Sequence, residues 1–82
     1  MVTVLRAYGL HVVIFVDDRP PAHVHVFGAG QVKIDLLGPG GVPVLLWSEN
    51  MTKADVRRAM RTVTERQSLL LERWEDIHGR LD

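Results

Sequence analysis

The chain has no cysteine. That absence excludes thiol catalysis, iron–sulfur clusters and every zinc site built on thiolates. Small secreted domains commonly lean on disulfides, so their absence points to the cytoplasm. No apolar run approaches the roughly 20 residues of a membrane span. The opening MVTVLRAYGL lacks the basic head and apolar stretch of a signal peptide. There is no internal repeat and no low-complexity segment. The formal net charge is zero, so bulk electrostatics does not mark a nucleic-acid binder.

What is present fits one small domain, residues 1–82. With 46% hydrophobic residues the chain can form a core, although so short a chain buries only a modest share of its surface. The first half has strand character. VTVLRA (2–7) leads through Tyr8-Gly9 into LHVVIFV (10–16), which is rich in β-branched residues. Asp17 to Pro21 is a connection, because paired prolines cannot feed a ladder. AHVHVF (22–27) alternates, Gly28-Ala29-Gly30 suits a short turn, and QVKIDLL (31–37) pairs back. After Gly38-Pro39-Gly40-Gly41, VPVLLW (42–47) makes a last strand, placed at an edge by Pro43.

The second half is helical. Thr52 is a good N-cap, with Asp55 three residues on. Val56, Met60, Val63, Leu70, Trp74 and Ile77 recur at helical spacing, and Gly79 suits the C-terminal cap. No glycine or proline interrupts 53–78. A continuous helix there is about 39 Å long, against roughly 20 Å for a strand. It therefore overhangs the sheet or breaks. The expectation is an α+β fold: an antiparallel sheet of four to five strands (1–47), then one long C-terminal helix (52–79) across one face.

The helix charges run against the macrodipole, which favours acid early and base late. Lys53, Arg57 and Arg58 come early; Glu72, Glu75 and Asp76 come late. One explanation is a solvated face with local ion pairs. The other is that Lys53, Arg57 and Arg61, spaced i, i+4, i+8, form a basic stripe toward an anionic partner.

The densest chemistry is PPAHVHVFGAG, residues 20–30. In a strand, His23, His25 and Phe27 share one face, and Val24 and Val26 turn to the core. The histidines then face outward or into a cleft made by loops. Three readings stay open. The pair can be ordinary polar strand positions. It can share a divalent metal, with His11, Asp18, Asp35 or His78 as a further ligand. Or it can do acid–base chemistry on an RNA phosphodiester without metal, one imidazole taking a proton and the other giving one. In that reading Lys33 or Arg19 stabilises the developing anion. His78 suits the negative end of the helix and shares a face with Trp74. Trp47 and Trp74 suit packing better than base stacking.

Three stretches carry a family resemblance: TVLRAYGLHVVIFVDDRPPAHVHVFG, QVKIDL, and ADVRRAMRTVTERQSLLLERWEDIHG. They resemble a family of small bacterial proteins known as domain of unknown function 4160. PPAHVHV is the most specific part. Members often read PPPHVHV, so Ala22 departs from a third proline. Asp18 and Arg19 loosely match the polar pair that precedes the prolines, and Arg66 stands where some members have histidine. The resemblance implies no agreed catalytic residues. It does imply a two-gene cassette with another small protein, of the family numbered 2442, of the kind proposed as toxin–antitoxin pairs. The partners expected are that cognate protein, RNA, or a second copy joined at a sheet edge. Against the RNA-cleaving toxin stand a non-catalytic antitoxin or adaptor and a metal-binding protein.

Overall fold

A computed structural model describes residues 1–79. Five strands form one antiparallel sheet in the order β1-β2-β3-β4-β5. They are β1 (Val2–Ala7), β2 (Leu10–Ile14), β3 (His23–Phe27), β4 (Gln31–Asp35) and β5 (Val44–Glu49). Two helices follow, α1 (Lys53–Glu65) and α2 (Gln67–His78). The α+β class and the antiparallel sheet are as the sequence predicts. Among the described residues, no helix is long and apolar enough to cross a membrane.

Local chemistry explains the turns. Tyr8 and Gly9 both have positive φ, 56° and 73°, the combination a two-residue hairpin requires. Gly30 lies against the Glu49 and Asn50 backbone, where any side chain would collide. Pro43 falls just before β5, which is an edge strand, in keeping with its missing N–H. β5 ends at Glu49, two residues beyond the expected 47.

One sheet face carries the core. Val12, Val24, Val26, Val32, Ile34 and Leu36 pack with Ala59 and Val63 of α1 and with Leu70 and Trp74 of α2. The Thr52 side chain accepts from the Asp55 amide at 3.1 Å, so the N-cap is as the sequence predicts. Gly79 closes α2 with φ 75° and its N–H on the Glu75 carbonyl.

The single helix expected over 52–79 is instead two. Arg66 leaves helical geometry at φ −113°, ψ 20°, and neither glycine nor proline causes it. The Gln67 side chain donates to the Leu36 carbonyl at 2.7 Å and to the Gly41 carbonyl at 2.8 Å. These bonds pin the start of α2 to the β4–β5 connection. The run Thr62-Val63-Thr64 just before the break is β-branched and weakly helix-forming. α2 thus lays Leu70 and Trp74 on the core rather than overhanging.

Candidate metal centre

The face opposite the helices is built from register partners. Thr3, Val13, His25, Lys33 and Trp47 form one row across all five strands. Arg6, His11, Phe27, Gln31 and Glu49 form the next. Alternation therefore sends His25 away from the core, as the sequence implies.

His23 does not face outward. It is 6% exposed, enclosed by the turn after β2 and by α2. Trp74 packs against it at 5.1 Å between ring centroids, and His25 lies at 5.4 Å. His25 in turn meets the edge of Phe15 at 4.8 Å and of Trp47 at 6.2 Å. The pair thus sits in an aromatic surround, one ring buried and the other partly so.

The turn supplies the third group. The Asp18 amide donates to the Phe15 carbonyl at 3.1 Å, and the Phe15 amide donates to Asp18 Oδ2 at 3.2 Å. These two bonds fold the carboxylate back over β3. Asp18 Oδ2 then stands 3.2 Å from His23 Nε2 and 3.9 Å from His25 Nε2. The three candidate ligand atoms lie within 4.8 Å of one another.

The hydrogen bonding fixes what these atoms are. His23 Nδ1 is 2.9 Å from the Pro21 carbonyl. A carbonyl only accepts, so Nδ1 carries the proton and Nε2 is left with its lone pair in the neutral ring. That lone pair faces a carboxylate oxygen. Either a second ring proton or a cation can hold two such acceptors together. His25 is the third member. Burial holds its imidazole below the ordinary histidine pKa, with His23 and Lys33 pushing the same way. Asp18 opposes this, and a Gln31 side-chain interaction opposes it less, although the buried Nδ1 has no hydrogen bond of ordinary geometry. A proton between His23 and Asp18 serves one contact. A cation serves all three.

The donor set fits a transition metal. Two imidazoles and one carboxylate suit zinc and related divalent ions, whereas calcium and magnesium want oxygen alone. Around an ion with ligands about 2.1 Å away, neighbouring tetrahedral ligands lie roughly 3.4 Å apart; the 3.2 and 3.9 Å separations from Asp18 bracket that spacing, and the set as a whole, within 4.8 Å, would draw together on an ion. The His23–Pro21 bond is the outer support that metal-bound histidines ordinarily have. Three such ligands on an ion would leave a position open, as catalytic rather than structural sites do.

The other expected residues are dispersed. Lys33 is the cross-strand partner of His25, on the same face. Arg19 is exposed, beside Asp18 in sequence but outside the triad. His11 is exposed one row away, and Asp35 Oδ1 accepts from the Leu37 amide at 3.2 Å. Lys53, Arg57 and Arg61 are exposed on α1. Arg57, Arg58 and Arg61 line a shallow concavity of about 220 Å³ with Ala54, and Arg58 is paired with Asp55 at 3.0 Å. His78 is no ligand, since its ring nitrogens face the Trp74 and Phe15 carbonyls. Sequence reasoning missed Phe15, whose backbone orients Asp18; no motif marks it.

The family model described as domain of unknown function (DUF4160) matches residues 9–75. Comparison with curated proteins and with solved structures gives no match.

Proposed function

The chain belongs to the DUF4160 family, and because that description assigns no activity, we propose a function from the site itself: a divalent transition-metal centre held by Asp18, His23 and His25. One observation carries it. His23 Nδ1 is committed to the Pro21 carbonyl while His23 Nε2 and His25 Nε2 both converge on Asp18 Oδ2. A bound ion with an open position acts as a Lewis acid toward water or an anionic group.

The test is calorimetric titration of the purified, chelator-stripped chain with Zn²⁺. One equivalent per chain is expected, lost in a folded His23→Ala/His25→Ala variant. A saturating ion at about 100 times Kd should add about 2.7 kcal/mol of stability. A folded native chain that takes up no Zn²⁺, Co²⁺ or Ni²⁺ overturns the centre.

A second reading, metal-free RNA cleavage within a two-protein toxin–antitoxin module, draws support from Lys33. It is the register partner of His25, and a histidine kept neutral by burial suits a general base. The engagement of both His23 ring nitrogens weighs against a two-imidazole mechanism. Growth arrest on induction of the native chain, relieved in the double variant at equal soluble level, would favour this reading. The exposed arginines of α1 are the face it offers to a cognate protein.

A further inference from the structure

Resting on that metal centre, we propose that His78, 60 residues from Asp18 in sequence, is its positioning residue, acting through the backbone of Phe15. The chain of contacts is short. His78 Nε2 lies 3.1 Å from the Phe15 carbonyl. The same carbonyl accepts the Asp18 amide at 3.1 Å, and the Phe15 amide donates to Asp18 Oδ2 at 3.2 Å. Residue 15 is thus gripped at both ends: by Asp18 at its amide, and by Asp18 and His78 together at its carbonyl. Without His78, the turn is held only by bonds internal to itself.

The same helix end backs the second ligand. The His78 ring stacks on Trp74 at 3.9 Å between centroids, with 24° between planes. Trp74, 6% exposed, packs on His23. One residue therefore supports both a carboxylate ligand, through hydrogen bonds, and an imidazole ligand, through a ring stack. The alternative of a plain helix-terminal role leaves the Phe15 bond unexplained. His78 Nδ1 also faces a carbonyl, that of Trp74, at 3.2 Å. A neutral ring has one N–H, so only the tautomer protonated at Nε2 grips Phe15.

The separating variant is His78→Phe, which keeps the stack on Trp74 and removes the ring donor. His78→Gln restores an amide donor. Zn²⁺ affinity, the Co²⁺ absorption spectrum and amide exchange at Phe15 in the metal-free chain are the three readouts. Supporting constellations typically alter metal affinity by about 10–100-fold. His78→Phe should bind one Zn²⁺ within that range more weakly, with an altered Co²⁺ spectrum and faster Phe15 exchange, and His78→Gln should recover part of each. Native affinity and a native Co²⁺ spectrum in folded His78→Phe overturn the positioning role while leaving the centre standing. A native chain that binds no metal overturns the centre and this role together, and the exchange rates then report the Phe15 grip alone.

Discussion

The break at Arg66 makes a quantitative test of the fold. Gln67→Ala removes both bonds from its side chain to the Leu36 and Gly41 carbonyls. A neutral hydrogen bond contributes about 0.5–1.5 kcal/mol net. Leu36 is fully buried, so the first bond counts near the upper end. Gly41 is exposed, so the second counts near the lower. The sum is about 2 kcal/mol, which for a domain of this size lowers Tm by roughly 8–16 °C. Gln67→Glu probes the same contact with charge. At neutral pH its carboxylate meets two acceptor oxygens, so the loss exceeds that of Gln67→Ala. Proton binding relieves it, so this variant's folded pKa rises above the ordinary glutamate value of about 4.3. The folded state then holds more protons than the unfolded one between those two values. Stability relative to native therefore falls as pH rises through that window, and recovers below it. Thermal unfolding followed by circular dichroism at pH 4 and pH 7 reads both effects. A Gln67→Ala Tm equal to native, or a Gln67→Glu deficit that does not narrow in acid, refutes the account of the break.

Two further substitutions test local elements. Thr52→Ala removes the acceptor of the Asp55 amide and should cost about 1 kcal/mol; Thr52→Ser should be near native, and equal denaturant midpoints for all three chains would deny the cap. Gly30→Ala places a Cβ against the Glu49 and Asn50 backbone. It should cost about 1–3 kcal/mol and shift amide resonances along β5, whereas a native spectrum would show that β5 does not approach there.

The strands were legible because their signals are local. Tyr8-Gly9, Gly28 to Gly30 and Pro43 each announce a turn or an edge through backbone geometry. Helix periodicity was equally plain, and Val56, Val63, Leu70 and Trp74 all meet the core. The length of the helix against the strands already allowed a break, but its place at Arg66 was not legible. Its cause is a side chain reaching carbonyls 31 and 26 residues away, and no local pattern encodes such a bond. For the same reason alternation placed the histidine pair on one face but left open which of the two expected surroundings, open face or loop-made cleft, His23 takes. Its burial comes from Asp18 and Trp74, groups brought in by a turn and by a second helix. Asp18 was within reach as one of four possible extra ligands; the geometry singles it out.

The break in the helix bears on the site. Trp74 is 21 residues beyond Lys53. In one continuous helix it would sit about 31 Å along the axis, beyond the length of a five-residue strand, and of the two groups that enclose His23 only the turn that carries Asp18 would remain. Beyond the break at Arg66, Trp74 of α2 packs on His23 and His78 reaches the Phe15 carbonyl. The packing of Trp74 on His23 and the contact of His78 with Phe15 therefore depend on the start of α2, which Gln67 fixes. A substitution that relaxes the start of α2 without unfolding the sheet should loosen the Asp18–His23–His25 cluster before it loosens the core. The Asp18–His23–His25 cluster is thus a tertiary feature, assembled where the end of α2 meets the turn after β2, and the HVH stretch supplies only two of its three side chains.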